Sequence, residues 1–296
     1  MERSIKGLLS GGLKPSDPRR FLIEAMVGAM TADGVVDPRE AAAVERQITS
    51  HPLFQGLAAQ AARTLIELSN DAIEFAGSAI ARTPAIAKGL PARIHRLAAF
   101  GMAAEIATAD QRLADGELQF LEALRATLRI APFESEALVG AAQAGALTVH
   151  LDDRYHRIRS LVPVAAEVFT LRALGHGAAG DDQRFQIRDF FRAMPDLALG
   201  ADELDGVLYH AFRRPRAPDA QVFGELSYVA QTLPDPEDRY WLAVYALVAE
   251  PPAQVARWRV IPFIGLVQAA FRIVDAELEQ AVAHALTFPT ALPRPL

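Results

Sequence analysis

The sequence predicts an all-α protein made of two tandem, related helical bundle domains. Three observations lead there: apolar residues recur at helical spacing, strand-like alternation is hardly seen, and parts of the chain repeat within it. Leu22, Met26, Ala29 and Met30 fall on one helical face, as do Leu121, Leu124 and Leu128. At 296 residues the chain is long for one helical core and suits two domains of about 100 to 150 residues each. The expected domains are 1–148 and 149–296, joined through the polar, Asp-containing segment from Thr148 to His156.

Helix-breaking clusters set the expected elements in order. Lys14-Pro15-Ser16-Asp17-Pro18 opens the first helix, and Gly89-Leu90-Pro91, Asp152-Asp153 and Pro234-Asp235-Pro236 interrupt later ones. Helices are expected near 19–32, 38–49, 55–67, 70–85, 91–108, 116–130 and 134–145. In the second half they are expected near 158–176, 183–193, 201–212, 219–231, 236–249, 258–273 and 275–287. The proline-rich stretch from Phe288 to Leu296 reads as a frayed tail.

Two internal repeats stand out. Within the first half, Ala32 to Glu40 (ADGVVDPRE) corresponds to Ala109 to Glu117 (ADQRLADGE), so that Asp33 and Asp110, and Glu40 and Glu117, are each 77 positions apart. Each copy follows an apolar helix and opens another. Between the halves, Leu97 to Glu105 (LAAFGMAAE) matches Leu242 to Glu250 (LAVYALVAE) at an offset of 145. After a two-residue gap, Phe120 to Ile130 meets Phe263 to Ile273. The offset of 145 sets Ala178, Asp182 and Phe185 opposite Asp33, Asp37 and Glu40, and Val255 opposite Asp110. The second half keeps the helices and drops the acids.

Composition removes several classes of function. No apolar run approaches the roughly 20 residues needed to cross a bilayer, and Met1 to Lys14 has no secretory h-region, so a cytoplasmic protein without a membrane span is expected. With no cysteine there is no thiolate zinc site, iron–sulfur cluster or cysteine nucleophile. A net charge of −6 speaks against a nucleic-acid partner. The seven histidines include no pair at the spacing that sets two imidazoles on one helical face. Arg213-Arg214-Pro215-Arg216 is a basic cluster read as solvated, and Tyr240 to Tyr245 with Trp258 and Phe263 is read as a second core.

The acids admit two readings. Asp37-Pro38-Arg39-Glu40 is a helix start, with Asp37 as N-cap, Pro38 at the first helical position and Glu40 closing a capping box. Asp33 and Asp110 fit that account less well, because each ends an apolar helix, where the dipole disfavours a carboxylate by about 0.3 to 1 kcal/mol. If the two arms pack as a pseudo-twofold pair, Asp33, Glu40, Asp110 and Glu117 converge, with Asp37 and Asp115 nearby. Carboxylates that close repel unless a proton or cation intervenes, and oxygen ligands favour calcium, magnesium or manganese. The spacing is not that of an EF-hand.

Ala32-Asp33-Gly34 with Glu40, and Ala109-Asp110-Gln111 with Glu117, resemble the tellurite-resistance protein B (TerB) family, whose helical domain carries two Ala-Asp-Gly-like motifs, each followed by a Glu at the next helix start. The second motif departs at the glycine. The resemblance covers roughly residues 18 to 145, and the second half looks like a degenerate copy. It implies a compact helical domain with an acidic, metal-binding surface, in systems connected with tellurite and other chemical stress. The expected function is non-catalytic cation binding through Asp33, Glu40, Asp110 and Glu117, or a scaffold role with a protein partner or self-association. The alternatives are a metal-independent helical adaptor and a metal-dependent hydrolase, the latter disfavoured because no His, Ser or Lys accompanies the acids.

Overall fold

A computed structural model describes residues 17–34, 36–90, 93–109, 113–175, 181–193, 201–213 and 221–286. Every regular element among the described residues is helical. The chain divides into two compact units, 1–157 and 158–296.

The first unit contains α1 (Pro18–Met30), α2 (Pro38–Ser50), a 3-10 turn (Pro52–Phe54), α3 (Ala59–Ala76), α4 (Ala79–Gly89), α5 (Arg93–Ala107), α6 (Asp115–Leu128) and α7 (Pro132–Gln143). Helices α1 and α5 form its centre. Helix α1 packs on α5, α3, α4, α2 and α6, and α5 also meets α7, α6 and α2. Their sequences explain the position, since α1 is buried without interruption from Leu22 to Met30 and α5 on nearly every residue. A helix apolar all round belongs inside a bundle. Its one acid, Glu24, is accordingly paired there, with Arg82 of α4 at 3.0 and 3.3 Å. Outer helices bury one stripe, as α3 does with Ala62, Leu65, Ser69 and Ile73.

Three elements differ from the sequence expectation. The break expected between 67 and 70 falls instead at Gly77, which takes φ +86 as the C-cap of α3, followed by Ser78 as N-cap of α4. Ser69 is buried, and its hydroxyl is satisfied by the Leu65 carbonyl at 2.7 Å, so it does not end the helix. The expected join from Thr148 to His156 lies within one long helix, α8 (Leu147–Gly175). Leu147, Leu151, Arg154 and Tyr155 make a buried helical stripe there, while Asp153 stays exposed. The helix expected over 258–273 is a 3-10 turn (Trp258–Val260) followed by a helix starting at Pro262, because a proline has no amide to continue the first ladder. The tail from Phe288 lies outside the described residues.

The second unit contains most of α8, then α9 (Asp181–Ala193), α10 (Ala201–Arg213), α11 (Val222–Gln231), α12 (Pro236–Val248), α13 (Pro252–Val255), α14 (Pro262–Phe271) and α15 (Asp275–Ala285). Its core gathers Phe169 of α8 edge-on to Phe190 and Phe191 at 5.0 and 5.2 Å, and the fully buried run Trp241 to Val248 of α12. As the sequence suggested, the aromatic run is core.

The helix limits repeat with a step of 143 residues. Helix α2 spans 38–50 and α9 spans 181–193; α4 begins at 79 and α11 at 222; α7 begins at 132 and α15 at 275. The contacts α4 with α6, α5 with α6 and α5 with α7 recur as α11 with α14, α12 with α14 and α12 with α15. Both α6 and α14 end on an arginine in the left-handed region, Arg129 at φ +60 and Arg272 at φ +55. The following amides, Ile130 and Ile273, donate to Arg125 and Gln268 carbonyls at 3.0 and 3.1 Å. Glu134 and Glu277 then cap α7 and α15. The offset of 145 is confined to the sequences of α5 and α12. A step of 143 sets His176, Gly180 and Gln183 opposite Asp33, Asp37 and Glu40, in place of the residues read at 145.

Candidate acidic site of the first unit

The two arms of the first unit are built alike from their turns upward. At the end of α1 the Thr31 hydroxyl donates to the Val27 carbonyl at 2.9 Å, and the Ala32 amide to Ala29 at 3.2 Å. At the end of α5 the Thr108 hydroxyl donates to Ala104 at 2.8 Å, and the Ala109 amide to Ile106 at 3.0 Å. The Thr31 and Thr108 pair extends the 77-residue repeat by one position and was available in the sequence. In the first arm Gly34 takes φ +81, which lets the chain reverse into α2.

Each arm then starts a helix with a glutamate bent back on its own N-cap. The Asp37 carboxylate accepts from the Arg39 amide at 2.6 Å, and the Asp37 amide donates to Glu40 Oε2 at 3.2 Å. This is the capping box that the sequence shows. In the second arm the N-cap is Ala114, without a side-chain cap, and its amide donates to Glu117 Oε2 at 2.6 Å.

The arms converge. Helix α6 packs against both α1 and α5, and α2 against both as well. Glu40 and Glu117 are each about 95% buried, with relative exposures of 5% and 4%. Their carboxyl groups lie close enough for a proton on one to be shared with the other. The Glu40 carboxyl is pushed from 4.5 up to about 8, first by burial, then by the hydrogen bond with Glu117 and the charges of Glu117 and Asp33, against the opposing pull of the Asp37 amide. Burial and the neighbouring carboxylates thus favour the protonated form of Glu40, which can donate across to the second arm.

Asp33 is exposed at the turn and close enough for its charge to act on Glu40. Asp110 lies outside the described residues. Asp37 serves as a cap and Asp115 is exposed in the first turn of α6. Of the four residues singled out from sequence, the structure brings three into one neighbourhood. Among the described residues no group of three or more metal-ligating side chains is assembled. The two facing carboxylates nevertheless fit a hard cation chemically, since what holds such a pair together is a proton or a positive ion.

Elsewhere, His51 and His95 are buried, and burial lowers both to about 4, which keeps them neutral. Of the basic cluster, Arg213 ends α10 with its guanidinium 4.7 Å from the Tyr209 ring, and residues 214–216 lie outside the described residues. No described helix is long and apolar enough to cross a membrane.

Residues 19–139 match the family model described as Tellurite resistance protein TerB. The match runs from α1 into α7 and includes both acidic arms. No curated protein and no solved structure matches the chain.

Proposed function

We propose that this chain, whose residues 19–139 are a TerB domain, is a non-catalytic cytoplasmic protein that binds a divalent cation in its first unit as part of a tellurite-type stress response. The observation that carries the reading is the buried contact of Glu40 with Glu117. Two ionised acids facing each other away from water cost stability unless a proton or cation lies between them; the arrangement suits a site where a cation replaces the shared proton. Asp33 and Asp110 would complete an all-oxygen ligand set for calcium, magnesium or manganese. The acids come without a neighbouring nucleophile in sequence, which favours binding over hydrolysis.

The second half is then a diverged copy of the same domain, retained as a docking surface for a protein partner or a second copy of the chain. The 143-residue step of its helices supports this, as do exposed Phe185, Tyr228 and Val260. Gln183 and Val260 stand one step from Glu40 and Glu117, so this half has no counterpart of the acidic pair.

Calorimetric titration of calcium, magnesium and manganese into chelator-treated full chain tests the proposal. Saturable binding is expected, and Asp33→Ala/Asp110→Ala should abolish it without unfolding the protein. No binding, or unchanged affinity in the variant, overturns it. The capping boxes favour a second reading, a metal-independent adaptor in which both glutamates serve only as caps. Its mark is a partner protein held equally well in chelator.

A further inference from the structure

We infer that Gly116 is the positioning residue of the acidic site: having no side chain, it lets the first turn of α6 seat on the backbone of the α1–α2 turn, bringing Glu117 against Glu40. A Cβ built at Gly116 would lie 2.7 Å from the Ala32 carbonyl oxygen, 2.9 Å from the Asp33 Cα and 3.1 Å from the Ala32 carbonyl carbon. All three are backbone atoms of the turn that carries Asp33, so no rotamer change relieves the contact. Gly28 differs in kind, because its added Cβ would meet a side chain, the Phe120 ring at 2.6 Å, and not backbone.

Two glycines of the site thus act by different physics. Gly34 is required for its conformation, with φ +81 and open space around its missing side chain. Gly116 is required for space alone, because it is not among the positive-φ residues and sits at the second position of a helix that alanine would otherwise favour. The requirement is one-sided. The residue 77 positions earlier is Arg39, which is exposed, and the residue 143 positions later is Arg259. Arginine thus stands at both repeat-related positions. In the second acidic motif the glycine absent after Asp110 is therefore matched by one directly before Glu117, where the close approach occurs.

The inference depends on the cation reading only for its consequence on affinity, and the test separates the two. The chain has no cysteine, so in Glu40→Cys/Glu117→Cys full chain a short bis-maleimide reports the approach of the arms. Adding Gly116→Ala is expected to cut the intramolecular cross-linked fraction at least fivefold. Gly140→Ala, an exposed glycine of α7 with nothing within 4 Å of its added Cβ, is expected to leave it unchanged. Equal cross-linking with Gly116→Ala overturns the inference. In chain that keeps both glutamates, Gly116→Ala should weaken manganese binding tenfold or more while Gly140→Ala does not; undiminished affinity also overturns it. If the parent chain binds no manganese yet cross-linking falls, the cation reading fails and the positioning role stands. Should Gly116→Ala fold poorly, the Gly140→Ala background supplies compensating helix stability, and the same comparison is made there.

Discussion

At the carboxyl ends of the first unit's central helices the chain turns into two arms whose glutamates, Glu40 and Glu117, face each other out of water. In the second unit the last turn of α8 and the residue two past α12 hold Arg172 and Glu250, joined by two bonds of 2.8 Å and both buried. At these helix ends the second unit sets opposite charges together and the first sets like ones, although the first unit holds buried ion pairs elsewhere, Arg93 and Arg154 with Glu134. A bidentate guanidinium–carboxylate pair is complete in itself, whereas two carboxylates need a third party. The difference teaches why the proposed ligand is sought in the first unit: at equivalent helix ends one pairing is complete in itself and the other is not.

The largest effect that would sharpen this contrast is in the second unit. Arg172→Ala leaves Glu250 buried without its partner and should cost about 3 to 5 kcal/mol, read by chemical denaturation, with cation affinity unchanged. A loss of cation binding in that variant would break the contrast. In the first unit Glu40→Gln should change how stability depends on pH. The folded-state value of Glu40, about 8, lies above its ordinary 4.5, so its contribution is fully present below 4.5 and is lost as pH rises through 8. Thermal melts of the parent chain should fall across that window, and those of Glu40→Gln should stay flatter. If the proposed cation binds there it competes with protons for the same oxygens, so its affinity should tighten about tenfold per unit as pH rises toward 8 and level off above it. The smallest effects test the caps. Asp37→Ala and Asp235→Ala should each cost about 1 kcal/mol, and the first should also loosen cation binding because Asp37 orients the turn that holds Glu40.

Much of the fold was legible because helix starts announce themselves chemically. Asp17, Asp37 and Asp235, each followed by proline, are N-caps in the structure. What was misread follows from physics that a sequence hides. A break is expected between 67 and 70, but the buried Ser69 hydroxyl bonds back to its own helix and the ladder runs on. Asp152-Asp153 looks like a linker, but the apolar residues around it keep helical spacing. The 145 offset arises where α5 and α12 are both apolar nearly all round. Such helices carry little register information, and the limits of the amphipathic helices around them carry the step of 143. For the site, Glu40 and Glu117 were readable as a recurring pair, but sequence couples each only to its own N-cap. Their contact depends on Gly116, whose role appears only when the turn beside it is known.

One feature of the capping geometry reaches further. Glu40 and Glu117 each accept the amide of their own N-cap, Asp37 at 3.2 Å and Ala114 at 2.6 Å, so the oxygens offered to a ligand belong to the groups that pin the starts of α2 and α6. On the proposed reading, occupancy of the site and fraying of those two helices are then one equilibrium viewed from two ends. Deuterium uptake at the Asp37 and Ala114 amides makes a built-in gauge of whether the site is filled, readable without a label and without knowing which ion the cell supplies.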